Sequence, residues 1–257
     1  RYNMGKRTLW GAVYAGVLIG IFGFTAFAPI VLALFTILLL KELATIQRME
    51  SRFPLLVLAS ILLGLGAFRG FGGPQEIVAS SILLSTLLSF TLLRAKEPAV
   101  EIRRGLFAIA YVWVPLTYTI QCAKELPLII LFIFVMIWSS DSMAYLFGRF
   151  FGKRPLAPTL SPKKTIEGMV GGVIGTLVIG VVANQYWELM PTHIAASLAL
   201  SVSITAPLGD LVASAIKRDA GVKDSGVFLP GHGGALDRLD SFITAAPVAL
   251  IIYQYLS

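Results

Sequence analysis

Apolar residues run through this chain in long blocks, and most charged residues are confined to the short stretches between them. A helix needs about 20 mostly apolar residues to cross a ~30 Å hydrocarbon core. Blocks of that order fall at 9–28, 29–45, 55–68, 77–93, 106–121, 126–148, 169–187, 193–216 and 242–256. The second and third are short, and Phe27-Ala28-Pro29 leaves almost no loop after the first. A tight hairpin is expected there, with 55–68 the segment least suited to a full crossing. Eight to ten crossings bracket the pattern, and nine fits it best. The expectation is an all-α, polytopic integral membrane protein.

Charge tests that count. Nine alternating crossings with a cytoplasmic N-terminus place all of the 21 basic residues except Arg69 and Lys124 on the cytoplasmic side. Retention of Lys and Arg on that side is the usual bias, and a missed crossing would scramble it. The net charge of +7 therefore reports topology and calls for no nucleic-acid partner. Composition agrees, since 56% hydrophobic and 14% charged residues exclude an ordinary soluble enzyme, a disordered chain or a DNA-binding domain. The first block is too long for a cleavable signal and is followed at once by a second. The lone Cys122 leaves no disulfide within the chain and reads as a small packing residue. Small-xxx-small pairs at Gly16/Gly20, Gly168/Gly172 and Gly171/Gly175 predict close helix packing in lipid.

Chemistry divides the chain into two regions, 1–125 with about five helices and 126–257 with about four helices and the cytoplasmic loops. The first region has almost nothing polar within its blocks, and Glu97, Glu101, Arg103 and Arg104 read as a solvated loop. The second is different in three places. Near the end of the sixth block Asp141 lies about two turns inside apolar sequence, where a carboxylate costs about 2.5–3.5 kcal/mol unless it faces a polar cavity. Asp141, Tyr145 and Arg149 share one helical face at i, i+4 and i+8. The plain alternative pairs Asp141 with Arg149 alone.

A loop then carries Lys153, Arg154, Lys163 and Lys164 up to the glycine-rich helix start at Gly168. Backbone N–H groups and the two lysines there suit a phosphate, although anchoring to anionic headgroups also explains Lys163 and Lys164. The richest stretch runs from Pro207 to Asp240. Asp210, Ser214 and Lys217 fall on one face at i, i+4 and i+7, and Asp237 and Asp240 share a face at i, i+3. Carboxylates gathered at one depth repel unless a cation sits among them. Hard oxygen ligands without cysteine or paired histidine favour Mg²⁺ over zinc. Lys217, Arg218 and Lys223 supply charge for phosphate oxygens, and His232-Gly233-Gly234 lets backbone amides approach a ligand. His193 reads as an interfacial residue. Together these describe metal-dependent transfer onto or from a lipid phosphate at the cytoplasmic membrane surface.

Residues 214–240, Ser214-Ala-Ile-Lys217-Arg218-x₄-Lys223-Asp224-x-Gly226-x₂-Leu229-Pro230-x-His232-Gly233-Gly234-x₂-Asp237-Arg238-Leu239-Asp240, resemble the motif of the phosphatidate cytidylyltransferases, or CDP-diacylglycerol synthases. Ser140-Asp141 through Arg149 and Ser161-Pro-Lys163-Lys164-Thr-x-Glu167-Gly168 are similar to that family too. Ala235 departs from it, standing where a larger aliphatic is usual. The resemblance implies CTP + phosphatidic acid → CDP-diacylglycerol + pyrophosphate, in a multi-pass protein of the cell inner (cytoplasmic) membrane with its site facing the cytoplasm. It implies Mg²⁺, alone or with a second cation, on Asp210, Asp237 and Asp240 with Asp141. Lys163, Lys164, Lys217, Arg218 and Lys223 would hold phosphates, with Ser214, Asp224, Gly233, Gly234 and Arg238 completing the binding set. His232 would tune or orient the attacking phosphate. A homodimer is the expected assembly. Two other readings compete: a CTP-dependent enzyme for an isoprenoid lipid or lipid alcohol, and a transporter with Asp141 and Asp210 as a cation relay.

Overall fold

The computed structural model describes residues 4–24, 26–69, 73–93, 95–228 and 233–257. Among them every long apolar block is a helix: α1 (Met4–Phe24), α2 (Ala28–Ile46), α3 (Arg52–Arg69), α4 (Pro74–Leu92), α5 (Pro98–Ala108) and α6 (Val114–Ala123). Then follow α7 (Pro127–Phe151), α8 (Ile166–Trp187), α9 (Thr192–Asp219) and α10 (Leu236–Leu256). A π-helical turn, Ile109–Trp113, joins α5 to α6 into one rod spanning Pro98–Ala123. The widened turn lies just before Pro115, which has no N–H for the usual i−4 bond. Six of these helical rods are long and apolar enough to cross a bilayer, and Gly11–Phe24, Arg52–Ala67 and Pro74–Phe90 are shorter apolar helices. This is an α-helical membrane protein.

The described residues form two compact units, one drawn from Arg1–Glu125 with Asp224–Arg238, the other from Leu126–Lys223 with Leu239–Ser257. In the first, α2 is central and packs on α3, α5, the π turn and α6. Its buried stripe of Leu32, Thr36, Leu39, Leu40 and Leu43 explains why, because these positions recur on one side of a 3.6-residue helix. Cys122 is buried as a packing residue. Two sequence expectations are corrected here. Glu101 does not belong to a solvated loop: it is buried on α5 and accepts bonds from Glu50 N (3.0 Å), Ser51 N (3.3 Å) and Ser51 Oγ (3.1 Å), with Arg104 at 3.0 Å. It thereby pins the turn that leads into α3. Among the described residues Gly16 and Gly20 face no atom within 4 Å, so no close helix contact is made there.

In the second unit α8 packs along α7 and also against α9. Here the glycine expectation holds. A Cβ at Gly171 would strike Phe147, one at Gly175 would strike Met143, and one at Gly172 would press Ala144. Beside this seam α8 presents Val170, Ile174, Val178 and Val182 outward, as a lipid-facing helix should. Residues expected as an irregular loop before α8 instead form a hairpin, β1 (Pro155–Ala157) paired antiparallel with β2 (Ser161–Thr165). Glu167 ties it down by accepting from Lys153 N (3.0 Å), Arg154 N (3.1 Å) and Arg154 Nε (3.0 Å). Thr165 Oγ1 accepts from Gly168 N at 3.1 Å, the N-cap that starts α8.

Candidate active site

A pocket of about 330 Å³ opens in the second unit, lined by Asp141, Tyr145 and Arg149 of α7, Lys163 and Lys164 of β2, and Pro207 of α9 among others. The face expected from i, i+4, i+8 spacing is therefore the pocket wall. Asp141 is exposed there rather than buried in the helix bundle. β2 brings in the two lysines because the hairpin folds back beside α7 and α8.

Lys164 forms an ion pair with Asp210, one residue beyond the close approach of Gly209 to α10. A Cβ at Gly209 would lie 2.6 Å from the Asp240 carbonyl oxygen, so glycine lets α9 run against α10 at this level. The carboxyls of Asp210 and Asp240 meet within hydrogen-bonding reach, and Lys217 is close enough to act electrostatically on Asp240. Asp240 and Lys217 are buried, and Ser241 N donates to Asp240 Oδ1 at 2.7 Å. The i, i+7 spacing on α9 thus lets two opposite charges, Asp210 and Lys217, both act on the Asp240 carboxylate. Charges of this kind suit a polyanion: the lysines attract phosphate oxygens, and a pair of carboxylates is a donor set that a hard cation accepts.

Asp237 belongs to the first unit, where its Oδ2 accepts from Ser225 N (2.7 Å), Ser225 Oγ (2.9 Å) and Gly234 N (2.9 Å). Arg218, Lys223, Asp224 and Arg238 are exposed, and Arg218 Nη1 donates to Val222 O at 3.2 Å. Ser214 is half-buried one turn past Asp210. Gly233 has φ +77°, a conformation that suits glycine, and a Cβ there would collide with the Asp237 carboxylate. His232 lies outside the described residues. Among the described residues no three His, Cys, Asp or Glu side chains converge in a metal-binding arrangement. Asp210 and Asp240 nevertheless fit Mg²⁺, which is commonly held by one or two carboxylates with phosphate and water completing its shell.

Sequence reasoning missed Glu42 and Ser225. Glu42 accepts from Ala235 N, Leu236 N and Ser225 Oγ, each at 2.8 Å. The signal was present: Glu42 is an acid inside the second apolar block, the same anomaly that marks Asp141.

Lysines and carboxylates in and beside a pocket among apolar helices are groups that suit phosphate-bearing ligands. The chain belongs to the cytidylyltransferase family, whose sequence profile matches residues 5–256, and it is a nucleotidyltransferase. It is 39% identical over 180 residues to the phosphatidate cytidylyltransferase of Staphylococcus saprophyticus, covering 69% of this chain and 68% of that one. The enzymes of the same name from Staphylococcus epidermidis and Staphylococcus aureus are 38% and 37% identical over the same shares.

Proposed function

We propose that the chain transfers CMP from CTP to phosphatidic acid, giving CDP-diacylglycerol and pyrophosphate. The observation that carries this reading is the set of linked charges Lys164, Asp210, Asp240 and Lys217, with Lys164 lining the pocket that Asp141, Tyr145 and Arg149 wall. A lipid phosphate and a triphosphate both need cations around their oxygens, and the attack itself needs little else. A phosphatidate oxygen attacks the α-phosphorus of CTP in line, and the α–β bridging P–O bond breaks to release pyrophosphate. Phosphatidate is already ionised at neutral pH, so no protein nucleophile takes part.

Each residue then has a positional task. Lys164 exchanges Asp210 for a phosphate oxygen when substrate arrives, and Lys217 steadies the developing charge from its buried position. Lys163 with Arg218 and Lys223 are the outlying phosphate-binding cations, and Asp141 faces the same pocket. Asp210 and Asp240 would hold Mg²⁺, which neutralises triphosphate charge when bound. His232 orients or tunes the attacking phosphate in this reading. Nine crossings, a cytoplasmic N-terminus and site, an inner-membrane location and a homodimer complete the proposal.

The test is direct. Purified protein is mixed with phosphatidate, Mg²⁺ and each nucleoside triphosphate separately, and pyrophosphate is followed. CTP alone should support release, and only with phosphatidate present. Release with an isoprenoid alcohol in place of phosphatidate would overturn the substrate assignment.

A further inference from the structure

One cavity in the first unit is lined by none of the residues given a task above. It has a volume of about 270 Å³ and lies between α3, α4 and the rod that α5 and α6 form with the π turn. Each wall is a stripe at helical spacing: Leu62, Leu65 and Arg69 on α3, Glu76, Ser80 and Leu83 on α4, and Trp113, Thr117 and Gln121 on the rod. The three stripes share a polar end. α3 finishes at Arg69 and α4 starts at Pro74, so Arg69 and Glu76 stand at one level. Gln121 joins them there, because its Nε2 donates to Gly73 O at 3.1 Å. About 10–12 Å further along each helix, the lining has become Leu62, Leu83 and Trp113.

Between these ends the groove is apolar in spite of its hydroxyls. Thr117 Oγ1 donates to Trp113 O at 2.7 Å and Ser80 Oγ to Ile77 O at 3.0 Å, so both serve the backbone of their own helices. Leu65 and Leu83 are exposed, which opens the groove sideways toward lipid. Trp113 is only 1% exposed and forms the deep end. Its indole N–H meets no acceptor among the described residues, whereas a buried Trp N–H usually has one. Trp113 also ends the π turn, and such turns recur at functional sites.

A groove with charges of both signs at one end and an apolar side open to lipid fits an amphiphile of the bilayer better than a water-soluble solute. The charges select its headgroup. Arg69 is one of the two basic residues that the charge pattern leaves off the cytoplasmic side, so topology does not account for it. Glu76 at the same level disfavours a purely anionic headgroup. We propose that this groove binds one phospholipid whose headgroup carries a primary ammonium beside the phosphate. Arg69 takes the phosphate diester, Glu76 and Gln121 Oε1 take the ammonium, and the start of one acyl chain lies along Leu62, Leu83 and the Trp113 ring. At about 270 Å³ the groove is slightly smaller than the ~300–1,000 Å³ of ordinary ligand pockets, so the rest of the lipid stays in the bilayer.

Full-length protein in detergent, stripped of lipid, is titrated with phosphatidylethanolamine, phosphatidylcholine or phosphatidylglycerol of identical chains, and native mass spectrometry counts the lipid bound. Phosphatidylethanolamine should fill one saturable site per chain. The other two should bind at least about 10-fold more weakly, since one has no N–H on its nitrogen and the other has no cation. Arg69→Gln should weaken phosphatidylethanolamine binding by about 10-fold or more. It should leave the melting temperature of lipid-free protein unchanged, because Arg69 is exposed. Phosphatidylethanolamine brominated in the first half of its chains should quench wild-type tryptophan fluorescence saturably, and that of Trp113→Phe much less. Equal binding of the three lipids, or unaltered binding in Arg69→Gln, overturns the proposal. So does uptake that rises with lipid concentration without saturating, the behaviour of a loose lipid shell. A dimer that binds no lipid where the monomer binds one makes a second copy the occupant and overturns it as well. If Trp113→Phe does not fold, the lipid count with Arg69→Gln still decides.

Discussion

Lys164 and Asp210, 46 residues apart in the chain, are joined as an ion pair beside the pocket. Both side chains remain partly exposed. An exposed pair adds little to stability, whereas a lysine bound to a phosphate makes a charged hydrogen bond of about 1.5–3 kcal/mol. Lys164→Met should therefore raise KM for CTP or phosphatidate by about 10-fold or more with little change in melting temperature. Steady-state kinetics with each substrate varied in turn checks it. Unchanged KM for both would leave Lys164 as a partner of Asp210 only.

Asp240→Asn removes charge but not volume, and the Ser241 N bond can persist on the amide oxygen. Turnover should fall below about a tenth of wild type, a loss beyond about 1.4 kcal/mol, in protein that remains folded. The surviving activity should need more Mg²⁺. A variant with normal Mg²⁺ dependence and near-normal rate would remove Asp240 from the site.

Asp141 faces the pocket along with Arg149. Asp141→Asn should spare the melting temperature while lowering kcat or raising the Mg²⁺ requirement. Were Asp141 there to neutralise Arg149 alone, the change would instead lower the melting temperature and leave the Mg²⁺ titration as it was. One variant and two measurements separate these outcomes.

Glycine positions give a paired test of the helix packing. Gly171→Ala drives a methyl into Phe147, and overpacking of that kind costs about 1–3 kcal/mol. Gly16→Ala meets no atom within 4 Å and replaces a poor helix former with the best one. Melting temperature in detergent should fall for the first and hold or rise for the second. Equal losses in both would contradict the packing described for α7 and α8.

The apolar blocks were legible because lipid selects for length and hydrophobicity together. Each block corresponds to a helix, with ends that extend past the apolar run, as where α10 starts at Leu236 rather than at 242. Those extra turns are polar and owe their helicity to tertiary capping, which a hydropathy pattern cannot register. The pocket face of α7 was legible for a similar reason, since Asp141, Tyr145 and Arg149 obey helical spacing within one element. The hairpin of β1 and β2 was not. Its strands are short, carry Pro155 and Pro162, and exist because Glu167 gathers the amides of Lys153 and Arg154. Glu42 and Glu101 were missed because their partners, the starts of α10 and α3, lie 193 or 50 residues away.

That longest separation has a consequence for how the protein is made. Ribosomes add about 5–20 residues per second, so roughly 10–40 s pass between synthesis of Glu42 and synthesis of Ala235. Glu42 stands one turn from the end of α2, where water at the membrane surface can solvate it during the wait. No nascent chain that stops before Leu236 holds both amides that Glu42 accepts from. The contact at the start of α10 is thus completed only once Leu236 has been made, by a side chain in place long before it.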